Sequence, residues 1–318
     1  MRAIMLFLLV ALEALAACPA SACIDSTSHP FVNVERFDPF GAGGAVRNFS
    51  LSLRGPGGTG QHAYVQLVDH DAQGGAFRIG GELGPYTIVA ATGQAVLAQQ
   101  GDTRPPGMSN LNSPWVAVNP GAHGEMVNFQ LQINPDIVPA GVYDKVLDLR
   151  VACPSGHGYT YTIVPAVVEI HVAVDNVVKL VGGHNARLDF GDLAIDGPPS
   201  KAQELVGLRA SGAFNIAVRS EGGVIAAAHS GVMMRENAGG LTDADRIPYR
   251  VNVQNLPMNG AEAHYRCGGA VGAISIAVQT NPSPGAGKHA GTYRDILHVT
   301  LTPDFYGQVV DEGRCKAM

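Results

Sequence analysis

Two carboxylates flank a histidine in "VDHDA" at Val68–Ala72. Aspartates at i and i+2 of a loop, here Asp69 and Asp71 around His70, are metal-ligand types in a usable spacing. The same pattern is more often a polar turn, because an Asp side chain bonds its own backbone two residues on. The 11 histidines are scattered, with no H-E-x-x-H pair. No G-x-S-x-G elbow and no phosphate-cradling glycine loop occurs. The cysteines show no C-x-x-C spacing of the kind that holds zinc. No cofactor or metal is therefore expected. A hydrolase would need a nucleophile or metal constellation that the sequence lacks.

The elements around these residues are read from the N-terminus. Arg2 precedes a short apolar run, "IMLFLLVAL", followed by small residues. This is the pattern of an export signal, and the run is too short to span a bilayer. "ASA" before Cys23 fits a signal-peptidase cut, which makes residues 1–22 the signal peptide. "LAAC" at Leu15–Cys18 fits a lipobox, which would make an outer-membrane lipoprotein. The cut before Cys23 is favoured. Either cut leaves Cys23, Cys153, Cys267 and Cys315. An even count after export points to disulfides in an oxidising compartment. A net charge of −6 without a basic cluster excludes a nucleic-acid partner. Charged residues are only 15% of 318, glycine is abundant and β-branched runs are many. That is the composition of a secreted all-β protein.

The chain repeats itself. "AGVYDKVLDLRVAC" at Ala140–Cys153 matches "AGTYRDILHVTLTP" at Ala290–Pro303, with a constant offset of 150. "PFG" at Pro39–Gly41 and "AYVQL" at Ala63–Leu67 stand opposite "DFG" at Asp189–Gly191 and "AFNIA" at Ala213–Ala217. In shifted register, "PYTIV" at Pro85–Val89 parallels "PYRVN" at Pro248–Asn252, and "FQLQINP" at Phe129–Pro135 parallels "IAVQTNP" at Ile276–Pro282. Five landmarks in one order indicate a duplicated domain, 23–174 and 175–318. The repeat makes Cys23–Cys153 and Cys267–Cys315 the natural disulfides, worth about 3–5 kcal/mol each by restricting the unfolded chain.

Each copy reads as short strands with apolar residues at every second position, such as Leu147, Leu149 and Val151, or Leu297, Val299 and Leu301. With turn residues between them, these strands suggest two tandem immunoglobulin-like β-sandwiches. After Cys153 the first copy continues through "PSGHG" into "YTYTIVPAVVEIHVAV", where Val164, Val168, Ile170, Val172 and Val174 can share a face. After Pro303 the second copy has only "DFYGQVVDEGRCKAM", so it is expected to lack its last strand. A sandwich short of an edge strand exposes a hydrophobic groove and unpaired backbone, which recruits a strand from another chain. Leu297, Val299 and Leu301 should line that groove.

The second half resembles subunits of archaic, Csu-type chaperone–usher pili, grouped with the spore coat protein U domain family. The resemblance is carried by "LDFGDL" at Leu188–Leu193, "MRENAGGLTDADRIPYRV" at Met234–Val251 and "HAGTYRDILHVTLTP" at His289–Pro303. The last holds the A-G-x-Y-x-D turn, with Gly291, Tyr293 and Asp295. The first half matches through "FDPFG" and "AGVYDKVLDL", with Lys145 where the second copy has Asp295. The resemblance implies a pilin-type fold and an extracellular subunit without enzymatic activity. It implies three partners: a periplasmic pilus chaperone, an outer-membrane usher and a neighbouring pilin that donates a strand. Two domains, the first complete, look like a tip adhesin that serves attachment to abiotic or host surfaces and biofilm formation. "CIDSTSHPFVNVERF" is a poor donor strand, which a tip subunit does not need. The alternative is a secreted or lipid-anchored binding protein whose sandwiches are self-complete.

The segment special to the first domain is Gly93–Met126. It contains the lone Trp115, with Met108, Leu111 and Val116 near it in sequence. Exposed at loop tips, these four would attach to hydrophobic or sugar-bearing surfaces. For Trp115 itself the favoured reading is a place in the sandwich core, because a lone Trp of an all-β domain is usually buried at least in part. Tyr293 is expected to pack at its turn.

Overall fold

The computed structural model describes residues 23–318 except 57–61, 73–75, 81–82, 103, 107–113, 136–137, 157, 183–185, 239–241, 270–271 and 306–312. The described chain is strands and turns, with a 3-10 turn at Asp243–Asp245. It divides into two compact units. The first takes the residues up to Phe37, Gly41–Asp136 and Val142–Ala173. The second takes Asp38–Phe40, Ile137–Gly141 and Val174–Met318.

The first unit has two sheets, with strands numbered in chain order. One runs β1 (Ser26–Thr27), β3 (Ala45–Arg54), β9 (Glu125–Ile133), β6 (Leu83–Ala90), β5 (Arg78–Ile79). The other runs β2 (Phe31–Phe37), β11 (Gly158–Val174), β10 (Gly141–Ser155), β4 (Ala63–Asp69), β7 (Leu97–Gln99), with β8 (Val116–Val118) also on β4. Alternation in the sequence sets the faces. In β9, Val127, Phe129, Leu131 and Ile133 are buried while Asn128 is exposed. In β11, Val168, Ile170, Val172 and Val174 share the buried face as expected, but Val164 is only half-buried. Ala166, at φ 52, interrupts the strand between them.

The second unit repeats the plan. One sheet runs β12 (Val178–Leu180), β13 (Lys201–Ala210), β19 (Ala273–Thr280), β16 (Arg246–Val253), β15 (Gly231–Arg235), β20 (Tyr293–Arg294), with β17 (Leu256–Pro257) on β16. The other runs β21 (Leu297–Pro303), β14 (Phe214–Ser220), β18 (Glu262–Cys267), β22 (Cys315–Ala317). Its core gathers Phe214, Ile216, Val218, Ile247, Tyr249, Val251, Tyr265 and Ile274.

Strand pairing fixes which residues of the two copies correspond. Tyr86 faces Ile133 across β6 and β9, and Tyr249 faces Thr280 across β16 and β19, so both shifted landmarks correspond. One landmark moves. Leu149 pairs Leu67 in the first unit, whereas Val299 pairs Val218 in the second. With Leu149 and Val299 equivalent, "AYVQL" corresponds to Phe214 onward, one residue later than the constant offset placed it. A slip of one residue flips every side chain to the other face. The shifted register matches Leu67 to the buried Val218 instead of the half-buried Ala217.

Both disulfides are present, Cys23–Cys153 with Cα atoms 5.7 Å apart and Cys267–Cys315 with Cα atoms 4.0 Å apart. The second joins directly opposed residues of β18 and β22. Among the described residues no helix is long and apolar enough to cross a membrane. The signal segment and Cys18 lie outside the described residues.

Candidate functional site

The two copies of the duplicated strand meet different fates. In the first unit β10 is interior, with β11 on one side and β4 on the other. Leu147, Leu149 and Val151 are 0%, 0% and 2% exposed. In the second unit β21 is the end strand of its sheet, paired with β14 on one side only among the described residues. Leu297, Val299 and Leu301 still point at the core, yet all three are half-buried. β12 approaches the same strand from the other sheet. Val178 on β12, Val206 on β13 and Leu188, Phe190 and Leu193 are likewise only partly covered while packing on this core. Among the described residues the result is an apolar strip beside an unpaired strand edge; residues 306–310 of "FYGQVV", which would close it in the alternative reading, lie outside them.

A polar knot closes the start of β21. Asp295 Oδ2 accepts from Ser220 Oγ at 2.6 Å and from the Tyr249 hydroxyl, and Oδ1 accepts from Gly222 N at 2.7 Å. Burial, reinforced by this carboxylate, pushes the Tyr249 phenol up. A Cβ on Gly231 would collide with the Tyr249 ring and stand 2.7 Å from Ser220 Oγ, so glycine is required there. Gly291, at φ +150, sits in backbone that favours glycine. Tyr293 packs at the turn, its hydroxyl donating to Ala244 O at 2.9 Å and His289 O at 2.7 Å.

Beside it, Asp245 is buried and accepts from Arg235 Nε at 2.7 Å and Thr242 Oγ1 at 2.7 Å, with His289 Nδ1 at 2.9 Å. The His289 contact, then Thr242 and Arg235, hold its carboxyl well below the usual range. The sequence motif around Met234–Val251 is thus a structural knot.

The first unit rebuilds the knot with opposite charge placement. Lys145, equivalent to Asp295, is 3% exposed and ion-paired with Asp69, which is fully buried. The Tyr86 hydroxyl donates to Asp69 Oδ2 at 2.7 Å, and burial with that carboxylate pushes the Tyr86 phenol up. In the corrected register Asp69 is the counterpart of Ser220. Asp71 pairs with Lys145 at 2.9 Å, and that hydrogen bond lowers its carboxyl. His70 contacts Asp148, whose hydrogen bond raises the imidazole, while Asp148 Oδ1 accepts from Ala166 N at 2.9 Å. Both aspartates of "VDHDA" are therefore taken by Lys145, and its histidine by Asp148. Among the described residues no group of three His, Cys, Asp or Glu can hold a metal. The sequence reading missed that Asp69 is a core residue. The signal was available in Lys145, an apparent mismatch in the repeat.

Trp115 takes the core reading and not the contact-surface one. It is 4% exposed, and its indole N–H donates to Arg104 O at 2.8 Å. It packs 5.9 Å from Tyr161, which lies 6.5 Å from Tyr159, itself edge-on to Tyr64 at 5.7 Å. An aromatic of this size is retained where both its area and its N–H are satisfied. Val116 is half-buried in β8, paired with Val65. Met108 and Leu111 lie outside the described residues.

No protein-family model matches the chain, and no curated protein matches it. Solved structures do. The CsuC–CsuE chaperone–tip adhesion subunit complex from archaic chaperone-usher Csu pili of Acinetobacter baumannii matches at 13% identity, covering 87% of this chain and 99% of that one, with TM-score 0.39. CfaE, the adhesive subunit of CFA/I fimbria of enterotoxigenic Escherichia coli, matches at 13% identity over 91% and 96%, with TM-score 0.39. The CupB6 tip adhesin of Pseudomonas aeruginosa matches at 12% identity over 88% and 93%, with TM-score 0.37. At such scores the overlays leave function to this chain's own residues.

Proposed function

We propose that this chain is an adhesive subunit of a chaperone–usher pilus, stationed at the tip, with no catalytic step of its own. The first unit meets the surface. The second unit is completed by a strand donated first by a periplasmic chaperone and then, at the outer-membrane usher, by the neighbouring subunit. One observation carries the reading: Leu147, Leu149 and Val151 are fully buried on a strand flanked by β11 and β4, whereas Leu297, Val299 and Leu301 are half-open on an end strand. A strand laid along β21 would pair its free backbone groups and finish burying three side chains. At about 25 cal/mol per Å², that burial is worth on the order of 0.5–1 kcal/mol per residue. The pilus location and biofilm role follow from the family resemblance of the A-G-x-Y-x-D turn and its neighbours.

The test is recovery of the chaperone complex from the periplasm. Val299→Asp should abolish it, and Thr300→Asp, on the exposed face of the same strand, should leave it intact. Normal recovery with Val299→Asp overturns the reading. Limited proteolysis of the wild-type chain without chaperone gives an independent check. A first unit that survives while the second is degraded supports strand donation. Equal resistance of both halves favours the self-complete binding protein.

A further inference from the structure

The outer face of the first unit's sheet carries a shallow depression of about 760 Å³ across β3, β9 and β6. None of its described lining residues is charged. Its polar side chains are amides and a hydroxyl, set in rows by the strand register: Ser50 opposite Asn128, and Asn48 opposite Gln130, which faces Val89 on its other side. They hold one another in place. Ser50 Oγ donates to Asn128 Oδ1 at 2.6 Å, Gln130 Nε2 to Asn48 Oδ1 at 3.1 Å, and Gln132 Nε2 to Gln130 Oε1 at 2.7 Å. That arrangement leaves the Asn48 and Asn128 Nδ2 groups and the Gln132 Oε1 to bond something else.

The duplicated unit supplies an internal comparison. The strand equivalence fixed by Tyr86–Ile133 and Tyr249–Thr280 places Ser275 where β9 has Asn128, and Ala277 where it has Gln130. Amides remain there at Gln203 and Asn252, both opposite Ala277, and at Gln279, which is flanked by Lys201 and Arg250. The second unit thus sets cations beside its amides and breaks the central row at Ser275 and Ala277, whereas β9 carries three amides in a row among uncharged lining residues.

We propose that this depression binds a neutral carbohydrate. Amide groups pair with adjacent sugar hydroxyls as donor and acceptor at once, and Val89 and Ala91 offer apolar contact for a ring's C–H face. An acidic ligand would need a cation, and the lining has none. An extended peptide pairs along a strand edge, whereas Asn128, Gln130 and Gln132 stand on the face of β9, which is paired on both sides. The inference takes from the proposed function only that the first unit is the one that meets a surface.

The test applies the full chain to an array of neutral, sialylated and sulfated oligosaccharides, followed by titration of the best neutral glycan. Asn128→Ala, and Gln130→Ala, which copies the second unit, should each weaken that binding by about tenfold, as expected for a lost hydrogen bond to ligand. Trp115 fluorescence should be unchanged, which shows that the unit remains folded. Retention of no neutral glycan, a preference for acidic glycans, or wild-type affinity in both variants overturns the site. The same variants should still form chaperone complexes, so failure here is distinct from failure of strand donation.

Discussion

Replacing Lys145 by Ala removes the cation from a knot in which Asp69 is fully buried and Lys145 nearly so. The Tyr86 hydroxyl and the Asp71 backbone N–H would remain as partners of Asp69, but two neutral donors do not balance a buried carboxylate. Deleting one member of a buried pair costs about 3–5 kcal/mol. The second contact of Lys145, to the exposed Asp71, adds at most about 1 kcal/mol. The loss is a large fraction of a domain's usual 5–15 kcal/mol. The second unit shows how to repair it. There the carboxylate sits on the turn, as Asp295, and the strand offers Ser220. Lys145→Asp combined with Asp69→Ser should copy that arrangement beneath Tyr86, and be more stable than Lys145→Ala by about 0.5–3 kcal/mol, the range of coupling between touching residues. The assay is urea unfolding followed by tryptophan fluorescence, because Trp115 is the single tryptophan and lies in the first unit. A loss under about 1 kcal/mol for Lys145→Ala, or a double variant no better than the single one, would refute the reasoning.

Two further outcomes are expected. Gly231→Ala should destabilise the second unit by about 1–3 kcal/mol by forcing Tyr249 off Asp295, a thermal shift visible by circular dichroism with the tryptophan transition unmoved. The depressed carboxyl of Asp245 contributes stability that is present above the ordinary aspartate value of 3.8 and lost as pH falls below it. Acid titration of the second unit should therefore be flatter with Asp245→Asn, and an unchanged pH profile would count against the knot.

The strand periodicity and the repeat were legible because alternation and spacing are local signals. "DILHVTLT" and "KVLDLRV" show their buried faces without any partner strand. Which strand covers them is not local. Leu149 and Val299 read alike in sequence, and only the order of strands makes one closed and the other half-open. The one-residue register error at "AYVQL" has the same origin, since pattern matching rewards similar letters while pairing rewards a shared face. Trp115 was undecidable because its partners, Arg104 and Tyr161, lie on other elements. The amide array was invisible for a related reason: Asn48, Asn128 and Gln130 come together only when β3 and β9 pair.

The cysteines have one more property. From Cys23 onward each bridge joins neighbours in the sequence: no cysteine lies between Cys23 and Cys153, and none between Cys267 and Cys315. A chain oxidised in the order it is made presents Cys153 as the first partner that Cys23 can meet. By the time Cys267 appears, both earlier thiols are used, and Cys315 is all that follows. Simple chronology thus selects the native connectivity among the three that four cysteines allow. Correct pairing needs no proofreading by a thiol exchanger, only an oxidant that keeps pace with the emerging chain.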